Sequence, residues 1–268
     1  MKEVFSMWRH TRMVVLVALS AALYAAVLIP FKGLVLIPGI TEIRPAGALP
    51  VVLGLLFGPA GAWGAAIGNL IGDFFGTLSI SSFFGFIGNF YFAYVPYKIW
   101  RKLGLIDLND PEPLCVNTKK KIINFAFVAL LGSISCAIII GWGLEMLGLY
   151  PFATMATIIS INNAVSSVIL GTPLMMTLYP RIKKWDLLWT DIVDEVEVRG
   201  ASISRVGTLL MVAGILGGLV IGFAGALGLG DKAVFAVGSA SGHVGNSTVI
   251  ILAGAGVLLN IIGGLLRE

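Results

Sequence analysis

The stretch GPAGAWGAAIGNLIGDFFG, residues 58–76, carries two stripes of small and polar residues that decide how this segment folds. Four glycines recur at intervals of four residues, and thus share one helix face: Gly64, Gly68, Gly72 and Gly76. A neighbouring face carries Gly61, Ala65, Asn69 and Asp73. Such a glycine stripe lets a second helix approach to backbone contact inside a membrane. A carboxylate in the same helix is expensive in hydrocarbon, so we expect Asp73 to face protein or water.

The composition around this stretch is that of a membrane protein. Of the 268 residues, 57% are hydrophobic and 12% are charged, whereas a soluble domain carries about 25% charged residues. This balance excludes a disordered chain and a nucleic-acid-binding domain. We interpret the net charge of +4 as loop Lys and Arg residues on one side of a bilayer.

Hydropathy predicts an all-α integral membrane protein with eight spans, or seven if the short second one only re-enters. The predicted spans are residues 13–29, 46–57, 60–75, 81–100, 122–149, 153–178, 206–227 and 247–266. They divide into a six-span unit over residues 1–180 and a C-terminal transmembrane hairpin over residues 206–268. Between them, residues 181–205 form an acidic, amphipathic linker on the cytoplasmic side.

The Lys and Arg residues predict the orientation. With eight alternating spans and a cytoplasmic N-terminus, 15 of the 18 Lys and Arg residues fall on the inner side. The positive-inside rule therefore places both termini in the cytoplasm of a multi-pass plasma-membrane protein. If the short span did not cross, Lys119–Lys121 would move outside, which favours a full crossing.

Polar side chains in the outer half of the spans predict a binding pocket for a small molecule. The candidate substrate-binding residues are Glu42, Arg44, Asn69, Asp73, Asn89, Glu145, Asn162 and Asn163. Ser81, Gly85 and Asn89 form a further small and polar stripe at spacing four. The long apolar loop between the first two spans is interpreted as a lid over this pocket.

Sequence motifs for catalysis and cofactor binding are missing. The chain contains no G-x-x-x-x-G-K-[ST] phosphate loop, no H-E-x-x-H zinc motif and no G-x-S-x-G nucleophile elbow. Cys115 and Cys136 show no metal-ligand spacing. We therefore expect no enzyme activity, no cofactor and no metal.

The small-residue face Ala18-x-x-x-Ala22 in the first span resembles the docking motif of the substrate-binding S components of energy-coupling factor (ECF) transporters, which import vitamins and other micronutrients. Further stretches that resemble this superfamily are EIRPAGALP at 42–50, LLFGPAGA at 55–62 and NLIGD at 69–73. The Ile43-Arg44-Pro45 element is closest to the members assigned to queuosine precursors and cobalamin. The resemblance covers about residues 11–180.

This resemblance implies a six-helix membrane subunit that captures a micronutrient in an outer pocket. It also implies docking onto a transmembrane coupling subunit that two cytosolic ATPases power. Ala18 and Ala22 would be the docking residues, while Glu42, Arg44, Asn69, Asp73 and Asn89 would contact substrate. The C-terminal hairpin departs from the six-helix pattern, and could block docking, replace a partner contact or bind something of its own.

Two other functions stay open at the level of sequence. One is an autonomous ion-coupled carrier or channel, in which Asp73 or Glu145 titrates or coordinates a cation. The inner halves of the spans offer few ionisable groups for such a path. The other is a structural or assembly protein in which the glycine stripes serve packing only.

Overall fold

The computed structural model describes residues 2–31, 44–76, 78–107, 109–226 and 244–266, together with the backbone of 35–37 and 41–42. It is helical, with one short antiparallel ladder. The helices are α1 (Lys2–Ser6), α2 (Thr11–Phe31), α3 (Ala48–Phe57), α4 (Pro59–Phe74), α5 (Ser82–Ile99), α6 (Lys119–Met146), α7 (Phe152–Ser166), α8 (Thr172–Lys184), α9 (Trp189–Ile192), α10 (Glu195–Gly200), α11 (Arg205–Ala226) and α12 (Ser247–Leu265). The ladder pairs β1 (Val35–Ile37) with β2 (Thr41–Glu42).

Every predicted span coincides with a helix, which confirms the helical membrane class. Within the described residues, five helical segments are long and apolar enough to cross a membrane: Thr11–Phe31, Lys119–Met146, Phe152–Ile192, Arg205–Ala226 and Ser247–Leu265. The other three predicted spans correspond to α3 and α4, with 10 and 16 residues, and to α5. α3 and α4 are short because Gly58 and Pro59 separate them in a sharp turn.

The turn between α3 and α4 folds the two helices against each other. Gly58 has φ of +54° and lies under the indole of Trp189. A Cβ on Gly61 would lie 2.1 Å from the carbonyl oxygen of Leu53, and one on Gly54 would lie 2.2 Å from that of Ala93. α3 is therefore enclosed by α4 on one side and α5 on another, and nearly all its residues are buried.

The predicted glycine stripe of α4 is where α2 packs. A Cβ on Gly64 would lie 2.2 Å from the Cβ of Ser20, and one on Gly68 would lie 2.8 Å from the carbonyl oxygen of Ala21. Gly76 has nothing within 4 Å, so the close contact ends before the stripe does. The two backbones approach as the sequence predicts, at the first two glycines of the stripe.

The sixth predicted span is one continuous helical rod with an irregularity in its middle. Residues 167–171 form a π-helical turn between α7 and α8. Ser167, the first residue of this turn, donates a 2.9 Å hydrogen bond from its hydroxyl to the carbonyl oxygen of Gly47. The turn thus holds the rod to the start of α3.

The C-terminal hairpin, α11 and α12, is packed on α6 and α7. Its two helices meet at glycines, since a Cβ on Gly256 would lie 2.2 Å from the Cα of Gly218. Asn260 donates a 2.7 Å hydrogen bond to the hydroxyl of Ser135, and Trp142 donates one of 2.9 Å to the carbonyl oxygen of Ile250. These hydrogen bonds therefore hold the hairpin against the rest of the bundle.

One end of the bundle, called the basic end below, collects α1, the C-termini of α5 and α8, and the linker helices α9 and α10. The side chains of Glu3 and Lys98 form a buried ion pair, and Lys98 also donates a 2.5 Å hydrogen bond to the carbonyl oxygen of Ala201. His10 Nε2 lies 2.9 Å from Glu197 Oε2. These contacts attach the linker to the helix bundle.

Candidate substrate site

A cavity of about 160 Å³ lies at the end of the bundle opposite the basic end. α4 and α5 supply its polar side, and α6 and α7 supply apolar side chains. Its lining residues are Arg44, Asn69, Asp73, Ser81, Ser82, Gly85, Asn89, Ile140, Leu144 and Ile159. Four of the eight candidate residues, Arg44, Asn69, Asp73 and Asn89, therefore meet in one place.

The α4 side of the cavity presents an amide and a carboxylate one helical turn apart. Asn69 and Asp73 share a face because they are four residues apart. The amide nitrogen of Asn69 donates a 3.3 Å hydrogen bond to Asp73 Oδ2. Both side chains are buried, with 3% and 8% of their surface exposed. The cavity thus contains a desolvated carboxylate in a fixed orientation.

Asn89 on α5 is held by two hydrogen bonds. Its side-chain oxygen accepts a 2.8 Å bond from the hydroxyl of Tyr24, and its side-chain nitrogen donates a 2.8 Å bond to the carbonyl oxygen of Gly85. Tyr24 and Asn89 are 3% exposed. Since Nδ2 carries two hydrogens and one is used, the amide keeps a second N–H for another acceptor.

Gly85 leaves room between the α4 and α5 groups. A Cβ there would lie 3.1 Å from the side-chain nitrogen of Asn69 and 3.7 Å from Asp73 Oδ2. A larger residue at this position would take up space beside the carboxylate. The glycine therefore keeps part of the cavity open.

Arg44 supplies the positive charge of the cavity. It directly precedes a 3₁₀ turn at Pro45–Gly47, which leads into α3. Its side chain is half-buried. The cavity thus combines one guanidinium and one carboxylate with amide and hydroxyl groups, and it can bind a small molecule with both donors and acceptors.

Glu145, another candidate residue, lies outside the cavity lining and caps two segments of backbone. Its carboxylate accepts a 2.6 Å hydrogen bond from the backbone N–H of Phe152 and one of 2.9 Å from that of Asn246. Both carboxylate oxygens are therefore used within the protein, and the structure gives Glu145 an anchoring role at the start of α7 and α12.

The remaining candidate residues do not line the cavity either. Asn163 is buried on α7, where a Cβ on Gly47 would lie 3.6 Å from its Oδ1, and Asn162 is half-buried beside it. For Glu42 the structure describes the backbone alone, in β2. Most of the loop that the sequence predicts as a lid lies outside the described residues.

Several residues in the cavity lining or directly behind it carry no clear sequence signal. Tyr24 stands in an alanine-rich apolar helix, so nothing marks its hydroxyl as the partner of Asn89. Ile140, Leu144 and Ile159 are indistinguishable from ordinary membrane-facing residues in a sequence. Ser82 has no part in the spacing-four stripe of Ser81, Gly85 and Asn89, which did indicate the α5 face.

Ala18 and Ala22, the candidate docking residues, are exposed on the outer face of α2. Val15, Leu19 and Leu23 are exposed beside them. The opposite face of α2 packs on α4 and carries Tyr24. This outer face is defined here as the alanine face.

The family model described as QueT transporter matches residues 14–180. The chain belongs to the QueT transporter family. This QueT family member is therefore a membrane transporter component that binds substrate, and it is not an enzyme. The resemblance to S components is thereby confirmed. The matched residues contain the whole cavity and the alanine face, whereas α11 and α12 lie beyond them. No curated protein and no solved structure is significantly similar to the chain.

Proposed function

We propose that this protein is the substrate-binding subunit of an ATP-driven ECF-type importer and that it captures one small heterocyclic molecule in the cavity beside Asp73. The observation that carries the proposal is the convergence of Arg44, Asn69, Asp73 and Asn89 on one cavity within the family-matched region. Desolvated polar groups in fixed orientations give selectivity, because a ligand that fails to pair with them leaves them unsatisfied.

The size of the cavity favours a queuosine precursor over cobalamin. Ligand pockets commonly measure about 300–1,000 Å³, and this one measures about 160 Å³. A single planar heterocycle suits that volume, while a corrinoid is many times larger. The nitrogen-rich edge of a deazapurine would pair with Asp73 and Asn89, and Ile140, Leu144 and Ile159 would contact its ring faces.

We place the basic end in the cytoplasm and the cavity on the outer side. The described Lys and Arg residues cluster at the basic end, apart from Arg44, which supports this orientation under the positive-inside rule. α3 with its 3₁₀ turn runs from Arg44 at the cavity to Gly58 under Trp189 at the basic end. That path supports eight crossings with both termini inside.

Docking onto a transmembrane coupling subunit would use the alanine face. The hairpin packs on α6 and α7, whereas α2 packs on α4, and Ala18 and Ala22 stay exposed with the hairpin in place. The hairpin is therefore compatible with docking through α2. A coupling subunit with two cytosolic ATPases would supply the energy.

The test of substrate binding is mass spectrometry of small molecules released from the purified protein. We expect the wild type to release a heterocyclic compound that is missing from the Asp73→Asn/Arg44→Ala double variant. The Glu145→Gln variant is the matched control, since it removes a carboxylate outside the cavity lining. An identical set of compounds from all three proteins would contradict the proposal.

Docking is tested by pull-down of a coupling subunit and its ATPases. Ala18→Leu/Ala22→Leu should abolish the association and leave compound binding unchanged, because the leucines prevent close helix approach. Ala213→Leu on the exposed side of α11 is the control. Uptake by the protein alone in liposomes, driven by a proton or sodium gradient, would instead establish an autonomous carrier.

A further inference from the structure

A second and larger cavity, about 390 Å³, lies at the basic end. It is formed where the C-termini of α5 and α8 meet the segment 111–114 and the linker. Its volume falls within the range of about 300–1,000 Å³ that is usual for ligand pockets. Neither the substrate site nor the alanine face includes any of its residues.

Four aromatic side chains form much of its wall: Tyr97, Trp100, Tyr179 and Trp189. The rings of Tyr97 and Trp189 meet edge to face, with 6.0 Å between their centroids. The indole N–H of Trp100 is used, since it donates a 3.0 Å bond to the carbonyl oxygen of Pro113. The indole N–H of Trp189 donates to no residue in the part of the chain that the structure describes. The wall can therefore contact an apolar group and still offer one N–H donor.

Cations outnumber acids in the lining. Lys98, Arg101, Lys102 and Lys183 line the cavity together with one acid, Asp191. Each of these four cations also has a partner within the protein: Lys98 pairs with Glu3, Lys183 lies 2.5 Å from Glu112, and Arg101 and Lys102 make contacts of their own. Arg101 and Lys102 lie on the turn that follows α5. The positive-inside rule explains why Lys and Arg lie at this end, but it does not explain why they line an aromatic-walled cavity.

We propose that this basic cavity binds a phosphate-bearing anion, with the phosphate at Arg101 and Lys102 and the attached organic group against Tyr97 and Trp189. Guanidinium and ammonium groups together are the usual partners of phosphate oxygens. Aromatic side chains at a membrane interface contact the glycerol and acyl portions of lipids, and their ring faces also contact the apolar part of a soluble organic group. The same chemistry is supplied by an acidic phospholipid headgroup and by a soluble phosphate ester.

Native mass spectrometry of the delipidated full chain distinguishes the two sources. The probes are phosphatidylglycerol, phosphatidylcholine and water-soluble glycerol 1-phosphate. A lipid site should retain phosphatidylglycerol at least tenfold more tightly than phosphatidylcholine, and glycerol 1-phosphate should not displace it. Displacement at matched concentrations, or binding of glycerol 1-phosphate alone, would assign the site to a soluble phosphate ester.

The Arg101→Gln/Lys102→Gln variant should weaken binding of the retained anion by roughly tenfold or more, because each basic residue near an anionic group adds to the attraction. Arg181→Gln/Lys184→Gln is the matched control, since it removes two exposed charges from the same end and outside the cavity lining. Equal weakening in both variants would overturn the proposal. The proposal would also be overturned if the wild type bound none of the three probes, or bound both lipids equally well. These two results come from the wild type and do not depend on whether a variant folds.

Discussion

The hydroxyl of Tyr24 donates a 2.8 Å hydrogen bond to the side-chain oxygen of Asn89, which joins α2 to the wall of the candidate substrate cavity. α2 also carries the alanine face on its outer side. One helix therefore reaches the cavity wall through the Tyr24–Asn89 hydrogen bond and carries on its other side the face that we propose for docking. A shift of Asn89 on ligand binding would reach α2 directly.

Tyr24→Phe tests this connection. Loss of the hydroxyl leaves the oxygen of Asn89 without its donor, at a cost of about 1 kcal/mol. We expect ligand affinity to fall roughly fivefold, with the helix content by circular dichroism unchanged. Calorimetric titration with the compound identified by mass spectrometry measures it. Unchanged affinity would mean that Asn89 is oriented well enough by Gly85 alone.

Asp73→Asn should weaken ligand binding much more. The substitution keeps the shape and the contact with Asn69 but removes the charge, and hydrogen bonds to a charged group contribute about 1.5–3 kcal/mol. The expected loss in affinity is about ten- to a hundredfold. Full affinity in this variant would place the ligand away from α4.

Glu145→Gln should lower the thermal stability of the protein and leave its ligand affinity nearly unchanged. Its carboxylate caps the backbone of Phe152 and Asn246, so the substitution should lower the melting temperature by several degrees. Ligand affinity should stay within about twofold of wild type, since Glu145 lies outside the cavity lining. Thermal unfolding with and without ligand separates the two effects. A selective loss of affinity would return Glu145 to the binding site.

Gly85→Ala should block the cavity. The new methyl group would lie 3.1 Å from the side-chain nitrogen of Asn69, so it must displace the amide or occupy ligand space. We expect affinity to fall at least tenfold with a small change in stability. Gly76→Ala is the control, because a Cβ at Gly76 meets nothing within 4 Å. Equal affinities for these two variants would mean that the ligand does not approach α5 here.

Gly256→Val should separate the hairpin helices. A Cβ at Gly256 would lie 2.2 Å from the Cα of Gly218, whereas one at Gly217 would meet nothing within 4 Å. We expect Gly256→Val to lower the melting temperature, while Gly217→Val should leave it nearly unchanged. Equal melting temperatures would show that the hairpin tolerates a wider spacing.

The Glu3–Lys98 pair predicts acid sensitivity at the basic end. Burial alone would raise the pKa of the Glu3 carboxyl, but the Lys98 ammonium outweighs it and the pKa lies below the ordinary value of 4.5. The pair therefore contributes stability at neutral pH that is lost as the pH falls below 4.5 and through the lowered pKa. Glu3→Gln should reduce the difference in thermal stability between pH 7 and pH 3. An unchanged difference would assign the acid sensitivity to other carboxylates.

The sequence predicts the eight helical segments well because the length of each apolar stretch, and the Gly and Pro residues between stretches, can be read locally. The α2–α4 contact also follows from it, since Gly64 and Gly68 have no other role than close approach. Three of the cavity residues, Asn69, Asp73 and Asn89, were predictable because polar side chains within apolar spans need partners that lipid cannot supply. Arg44 was predictable because it is an ionisable residue at the predicted edge of a span.

Other parts depend on three-dimensional packing. Glu145 looks identical to Asp73 in a sequence, since both are carboxylates near the end of a predicted span. Only the positions of the two N–H groups at Phe152 and Asn246 reveal that Glu145 is a cap. The π-helical turn at 167–171 and the cavity at the basic end arise from contacts between segments far apart in the chain.

The π-helical turn between α7 and α8 changes the angle between the faces that these two helices present along their common rod. Such a turn accommodates one residue more than regular α-helix, and one residue corresponds to a rotation of about 100°. Ile159 at the substrate cavity lies before the turn, and Tyr179 and Lys183 at the basic cavity lie after it. The extra residue therefore rotates the side chains of α8 about the helix axis relative to those of α7. With this rotation, one helical rod contributes side chains to two cavities at opposite ends of the protein.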